Sequence, residues 1–207
     1  HINSYPGNEN LTFSSEILTV HASKLLEILS DIITNPTFPE REVERVKKER
    51  TADLKRMSYD PVYIANRASR SLIYGLDSKY GHPLLGTTDS IENMTRGDLY
   101  EHFENEYGPE GTTLILVGDL KEQDVVPLAE RYFSNWNSLT STSKTPDQVS
   151  ENNIKPTTVY LCDKPGAAQS VIKAGHLTIN RHDPNHYAVT LLNYMFGGHA
   201  MARLFLN

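Results

Sequence analysis

The carboxylate of Asp53 stands in a highly charged stretch, ERVKKERTADLKRMSYDP at residues 44–61, whose pattern is that of a helix. Side chains spaced by three or four residues form a stripe along it: Val43, Val46, Arg50, Asp53, Leu54 and Met57. Because burying a lone carboxylate is costly, Asp53 needs a partner in such a stripe. It pairs with Arg50 or Arg56 on its own helix, or it is a metal ligand aimed inward. The residue types alone leave both possibilities open.

The histidines offer few spacings that suit a metal, although zinc sites draw their ligands from His, Cys and carboxylate side chains. The chain has eight His but no H-x-x-E-H pattern. His182 and His186 are four residues apart, but Asp183–Pro184 lies between them and interrupts a helix. His102 and Glu106 share a helix face, where a solvated pair worth about 0.3 kcal/mol is expected. Side-chain chemistry therefore predicts no complete metal site.

Two further features have ordinary structural interpretations. Cys162 alternates with Leu161 in a predicted strand, which favours a buried, unreactive thiol. Gly197–Gly198 lacks the spacing and the following Lys of a phosphate-binding loop, and a glycine pair is typical of a helix end. His199, directly after it, has no partner that the sequence identifies.

Charge and hydropathy exclude several classes of partner. The 207 residues carry a net charge of −6, from 20 basic and 26 acidic side chains. This balance argues against nucleic acid, which favours a basic face. No apolar run approaches the roughly 20 residues of a membrane helix, so no membrane segment is predicted. Since the chain begins HINSYPGNEN and stops at RLFLN inside a predicted helix, we expect a domain truncated at both ends.

The elements that position these residues follow from hydrophobic periodicity and helix stop signals. Helices are predicted at about 22–34, 39–58, 61–75, 121–133 and 183–197, with a short and a longer one in 90–107. Strands are predicted near 11–18, 112–118, 157–163 and 169–177. The last two flank a type II turn centred on Pro165–Gly166, and residues 134–156 are predicted to be a surface connection. We expect an α+β fold, one α/β sandwich domain over 1–207, with a mostly antiparallel or mixed sheet and helices mainly on one face.

Six segments carry a family resemblance in chain order: NPTFPEREVERVKKERTADLKRMSYDP, YGHPLLGTTDSI, LYEHFENEYGPEGTTLILVGDL, LAERYFSNW, DKPGAAQS and FGGHAMARL. Together they resemble the pitrilysin/insulinase family of zinc metallopeptidases from about Leu11 to Leu206. The resemblance implies one half-repeat of a two-lobed enzyme whose lobes enclose a chamber. In that family one half carries the inverted motif H-x-x-E-H, in which two His bind zinc and the Glu is the base. A Glu on a later helix is the third ligand.

Aligned without gaps between Phe38 and Pro61, the third-ligand position falls on Asp53, and the position of a second Glu seven residues earlier falls on Val46. Both residues depart from the catalytic pattern, because Asp is one methylene shorter than Glu and Val cannot ligate a metal. The departures, together with DKPGAAQS, imply the non-catalytic half.

The resemblance thus implies a lobe that shapes the chamber and helps to hold a peptide substrate, while zinc and its base lie on a partner lobe. That catalytic lobe belongs to the same chain or to a separate subunit, and we expect no cofactor in this chain and no activity from it alone. GGHAMARL resembles the family's double-Gly segment followed by Ser-Arg-Leu, which implies Gly197, Gly198 and Arg203 as substrate-binding residues. Ala202 stands where Ser is usual. An extended peptide would bind at a sheet edge by strand addition.

Two alternatives remain open at this point. The chain is a fragment of a catalytic lobe with Asp53 as an unusual third ligand, or it is a structural relative that assembles without peptidase activity. The parent sequence would decide, through the presence of H-x-x-E-H and of a second copy of the pattern. The resemblance favours the bacterial periplasm or cell envelope as the location.

Overall fold

The computed structural model describes residues 1–136 and 157–206 and divides the chain into two compact units, His1–Val171 and Ile172–Asn207. Most of the surface connection predicted at 134–156 lies outside the described residues.

The first unit opens with an antiparallel hairpin. β1 (Ile2–Pro6) pairs with β2 (Leu11–Ser15), with Ile2 opposite Ser15. β2 confirms the strand predicted near 11–18. β1 was not predicted, because its sequence INSYP lacks the alternation of apolar and polar residues that marks a half-buried strand.

Three helices follow where periodicity predicted them: α1 (Ala22–Thr34), α2 (Glu40–Met57) and α3 (Pro61–Tyr74). The ends of α3 show the local causes. The side chain of Asp60 accepts a hydrogen bond from the backbone N–H of Val62 at 2.9 Å, and a proline in the first helical position costs no hydrogen bond. The helix ends where Gly75 takes a positive φ of 79°.

Three more helices complete the described part of the first unit: α4 (Thr88–Asn93), α5 (Arg96–Glu106) and α6 (Glu122–Phe133). Thr87 and Thr95 are the N-cap residues of α4 and α5, and each forms a reciprocal capping box with the residue three positions later. The short and the longer helix predicted in 90–107 are thus confirmed, although the short one begins earlier.

The loop between α1 and α2 is held by α5. Phe38 has a positive φ of 38°, a conformation that costs free energy for a residue with a side chain. Its ring packs edge-on against Tyr100 at 5.1 Å and Phe103 at 6.2 Å. Arg96 donates from Nε to the Phe38 carbonyl at 2.6 Å and from Nη2 to the Thr37 carbonyl at 3.1 Å. These contacts offset the strain and join the loop to α5.

The second unit contains α7 (His186–Gly197) and a single turn, α8 (Arg203–Leu206). α7 ends at the glycine pair, as predicted, but it begins later than predicted. Asp183 does not cap the helix, because its carboxylate accepts the N–H of Asn185 at 2.8 Å in a turn that precedes the first helical residue. Asn185 is the N-cap instead.

Three of the four predicted strands are wrong: 112–118, 157–163 and 169–177. Their sequences have strand composition, but a strand exists only where a neighbour pairs its N–H and C=O groups. In the described ranges the hairpin is the whole of the sheet. The unpaired segments keep their apolar side chains in solvent: Val117 is 93%, Leu161 94% and Ile172 87% exposed. The α+β class and the antiparallel pairing are confirmed, but the four-stranded sheet is not.

The turn inside this region is confirmed even though its strands are not. The Ala167 N–H donates to the Lys164 carbonyl at 3.2 Å, and Gly166 has a φ of 77°, as the third residue of a type II turn requires. Cys162 is exposed rather than buried, because the segment that carries it is not packed into a sheet.

The buried apolar side chains of the described residues are few: Leu26 of α1, Val43 and Leu54 of α2, and Ala202 before α8. α2 is further tied to the loop before α5 by a hydrogen bond from Lys47 Nζ to the Met94 carbonyl at 2.8 Å. Across the described residues, none of the helices combines the length and the apolar character needed to cross a membrane.

Candidate functional site

Asp53 is held by two arginines of its own helix. Its Oδ1 lies 2.9 Å from Nη2 of Arg56 and its Oδ2 lies 3.9 Å from Nη1 of Arg50. The side chain is one-third exposed, at 33%. The expected pairing with a cation is therefore confirmed, and both partners stand three residues away, where helix geometry brings side chains together.

The surroundings of Asp53 differ from the predicted stripe. Val43 and Leu54 are buried, as a core-facing stripe requires, whereas Val46 is 41% exposed and Arg50 is exposed. Val46 belongs to the predicted stripe but is not buried, because the buried line of α2 runs through Val43 and Leu54 and leaves Val46 at its margin. Asp53, next to Leu54, lies at the same margin and keeps contact with solvent.

The described residues do not fit a zinc ion. Both carboxylate oxygens of Asp53 face guanidinium groups, and Val46 supplies no donor atom seven residues earlier. Within 1–136 and 157–206, no group of three His, Cys, Asp or Glu side chains is arranged to hold a metal. His182 and His186, the pair with helical spacing, are separated by the turn at Asp183, so α7 contains only the second of them.

The glycine pair at the end of α7 is explained by close packing. A Cβ on Gly198 would lie 2.7 Å from the Cα and 3.0 Å from the carbonyl oxygen of Tyr194. A Cβ on Gly197 would lie 3.2 Å from Cδ1 of Leu204. The first distance is shorter than real Cβ contacts, so glycine at 198 is needed by the fold itself. This packing requirement explains the glycine at 198 without a substrate, and the expected role of the pair in substrate binding stays a prediction.

His199, which had no partner identifiable from the sequence, completes this corner. Its ring stacks on Tyr194 with centroids 4.6 Å apart. Its Nδ1 accepts the backbone N–H of Met201 at 3.1 Å, which assigns the proton of the neutral ring to Nε2. The glycine pair predicted the end of α7 from the sequence. The stacking of His199 on Tyr194 could not be predicted, because it depends on how the chain turns after that helix end.

Arg203 opens α8 and is exposed. Among the described carboxylates, none forms an ion pair with its guanidinium group. The residue before it, Ala202, is 1% exposed, so the family position that usually carries Ser is closed to solvent here. In this segment Ala202 therefore packs against the protein, whereas the guanidinium group of Arg203 is exposed to solvent.

The fold is a helix-rich α+β domain, and within it Asp53 forms an ion pair with arginines of its own helix. A family model described as "Peptidase M16 inactive domain" matches residues 93–207, more than half of the chain. A second, described as "Insulinase (Peptidase family M16)", matches residues 1–79. The chain therefore belongs to peptidase family M16 and is of the inactive-domain type.

The relatives found by sequence are named as zinc proteases or as mitochondrial-processing peptidase subunits. An "Uncharacterized zinc protease" of Rickettsia bellii is 26% identical over 209 residues, covering 99% of this chain and 48% of the relative. The probable mitochondrial-processing peptidase subunit beta of Arabidopsis thaliana is 24% identical over 148 residues, covering 69% and 27%. The chain spans about half the length of the bacterial relatives it matches, or less.

Solved structures agree on the fold. A peptidase M16 inactive domain from Pseudomonas fluorescens matches with a TM-score of 0.71 and 18% identity, over 99% of this chain and 49% of that one. The first half of the periplasmic protease PqqL from Escherichia coli matches with a TM-score of 0.57 and 17% identity, over 70% and 31%. The expected family resemblance is confirmed by sequence and by architecture.

Proposed function

We propose that this chain is the non-catalytic lobe of a zinc metallopeptidase, which shapes the chamber and helps to hold an extended peptide. A catalytic lobe, in the same polypeptide or in a separate subunit, supplies the zinc ion and its general base. The single observation that carries the proposal is the ion pairing of Asp53. A carboxylate whose charge is already balanced by two guanidinium groups of its own helix needs no metal ion as a partner, which supports a structural role for Asp53.

This observation also weighs against the reading in which Asp53 is an unusual third ligand. Binding zinc through Asp53 would bring a divalent cation close to the two positive charges of Arg50 and Arg56. Nothing in the environment of Val46 compensates, since an apolar side chain cannot orient a ligand.

On the substrate side, the proposal gives Arg203 the main role. Its exposed guanidinium group can donate to carbonyl oxygens of a peptide, in the bidentate manner that favours Arg over Lys. Gly197 and Gly198 precede it, and the proposal gives them a part in binding the same peptide, although their Cβ positions are closed by Tyr194 and Leu204. In the first unit, taken by itself, the outer edges of β1 and β2 are unpaired within the described ranges, and such an edge can bind an extended peptide by strand addition.

The test is peptidase activity of the complete protein, with both lobes present, on an internally quenched peptide. Arg203→Ala should raise KM about tenfold with a smaller change in kcat, since a backbone contact made equally in ground and transition states contributes to binding. Arg181→Ala, an exposed arginine of the same unit, is the matched control and should leave KM unchanged. An unchanged KM in Arg203→Ala would contradict the substrate role.

The same assignment makes residues 1–207 part of one peptidase domain and places the protein in the periplasm or cell envelope. Support for the location comes from the periplasmic protease among the structural neighbours. Fractionation of cells that produce the complete protein, with a cytoplasmic marker as control, tests it.

A further inference from the structure

A cavity of about 360 Å³ lies between the C-terminal ends of α1 and α6, and Asp53 is not among the residues that line it. Its size is in the range of small-ligand sites. It is lined by Ser30, Asp31, Thr34, Asn35, Tyr132, Asn135 and Trp136. This lining combines hydroxyl, amide and carboxylate groups with two aromatic rings, and it contains no basic side chain.

The charge of the cavity is negative for two reasons. The C-terminal ends of both helices line this region, so the negative poles of their dipoles lie beside it. Asp31 adds a carboxylate in the last turn of α1, a turn that carries no basic residue. An acidic side chain there is unfavourable for the helix by itself, because the stabilising charge at a C-terminus is positive.

Asp31 is not neutralised by the described residues. Its Oδ1 accepts a long hydrogen bond of 3.3 Å from the Asn35 amide, and no described lysine, arginine or histidine forms an ion pair with it. The nearest basic residue along α6 is Arg131, but its guanidinium group is placed over the Tyr132 ring, 5.5 Å from the centroid. The exposed Asp31 carboxylate is therefore accessible to a cation from solvent.

The aromatic side of the cavity is built by α6. The hydroxyl of Tyr132 is hydrogen-bonded to the hydroxyl of Ser23 at 2.7 Å, which joins α6 to α1 and fixes the ring. Trp136, half-buried, lies beyond the end of α6 with its ring 6.4 Å from that of Phe133. Indole is the aromatic group that attracts cations most strongly.

We propose that this cavity binds a guanidinium or primary ammonium group carried on a short alkyl stem. Asp31 pairs with the charge, the negative poles of the two helix dipoles stabilise it further, and the stem packs along Trp136. The arrangement accounts for an acidic residue in the last turn of α1, because the bound cation supplies the charge that the helix end lacks. The inference does not depend on the proposed peptidase role.

The experiment uses the 207-residue chain and two small probes of nearly equal shape, butylguanidinium and the uncharged butylurea. Trp136 is the single tryptophan of the chain, so its fluorescence reports directly on the cavity. We expect a saturable fluorescence change with butylguanidinium and none with butylurea over the same concentrations. Equal responses to the two probes, or no saturable response, would overturn the proposal.

Two variants of Asp31 separate a binding role from a structural one. Asp31→Asn should weaken butylguanidinium binding at least about tenfold, with an unchanged or higher melting temperature in the absence of probe. Asp31→Lys should raise the melting temperature and abolish binding, because the new ammonium group occupies the site. Glu101→Gln, which removes an exposed carboxylate from α5, is the control and should change neither readout. Unaltered affinity in Asp31→Asn, or a lower melting temperature in both Asp31 variants, would contradict the assignment.

Discussion

Asp53 forms ion pairs with the arginines three residues before and three residues after it. This geometry determines how much stability is lost when its charge is removed. A partly exposed ion pair contributes little to stability, because water competes for both charges. In a zinc site, by contrast, loss of the charge removes the metal. The two roles therefore make opposite predictions for one conservative substitution.

Asp53→Asn should change the free energy of unfolding by less than about 1 kcal/mol and leave the peptidase activity of the complete protein nearly intact. Urea unfolding of the chain and turnover of a quenched peptide by the complete protein measure the two quantities. Arg56→Gln, which breaks the shorter contact from the other side, is the matched control. A large loss of turnover in Asp53→Asn with unchanged unfolding would show that the carboxylate serves the metal.

Asp98 makes stability depend on pH at the start of α5. Its carboxylate accepts the Thr95 backbone N–H at 2.7 Å and the Thr95 hydroxyl at 2.8 Å, and these hydrogen bonds lower the pKa of Asp98. A lowered folded-state pKa stabilises the protein above the unfolded-state pKa, and that stabilisation is lost as pH falls through the folded-state value.

We therefore expect the stability difference between the wild type and Asp98→Asn to be largest at neutral pH and to shrink below about pH 4, the usual range of Asp. Denaturant unfolding at a series of pH values measures it. Glu101→Gln on the same helix should show a smaller dependence. A difference that stays constant down to pH 2 would mean that the charge of Asp98 does not contribute to the cap.

Among the elements, the contact of α5 with the loop between α1 and α2 depends most on a single side chain. Arg96 binds two consecutive carbonyls of that loop, and its guanidinium group lies 4.6 Å from the Tyr100 ring centroid. Since hydrogen bonds from a charged donor are stronger than neutral ones, the group offsets the strain at Phe38.

Arg96→Ala should lower the free energy of unfolding by about 2 kcal/mol, within the range of charge-assisted hydrogen bonds. Arg96→Lys should recover only part of this loss, because an ammonium group lacks the planar fork. Arg67→Ala, at an exposed site of α3, is the control for removing an arginine. Equal stability of the Lys variant and the wild type would contradict a role for the fork.

The helices could be predicted from the sequence because their causes are local. The spacing of apolar residues predicted α1. Proline at 61 and glycine at 75 predicted the two ends of α3, and the three-residue spacing of Asp53 and Arg56 predicted their ion pair. The three predicted strands that the structure lacks, and the cavity between α1 and α6, depend instead on residues distant in sequence. The run TLILVG has strand composition, but pairing depends on residues distant in sequence, and the cavity forms only because α1 and α6 end side by side.

At the scale of the whole molecule, long stretches of backbone lack secondary structure. The segments 157–163 and 169–177 are unpaired and expose apolar side chains such as Leu161 and Ile172. Backbone without regular hydrogen bonds opens at little free-energy cost and fits readily into a protease active site. α2, although rich in Lys and Arg, is hydrogen-bonded along its length.

Limited proteolysis of the chain should therefore cut these segments before α2. Chymotrypsin is expected to cleave first near Tyr160, and trypsin at Lys173 sooner than at Lys47 or Lys55, with Lys164 spared by the proline that follows it. Mass spectrometry of the early fragments identifies the sites. Early cleavage inside α2, with 157–163 and 169–177 intact, would contradict the described structure.

The turn at Lys164–Ala167 has a kinetic consequence. Proline at 165 fixes one backbone angle and glycine at 166 adopts its positive φ without strain. The reversal therefore closes over four neighbouring residues and costs little loop entropy. We expect it to form early in folding, before contacts between residues that are distant in sequence.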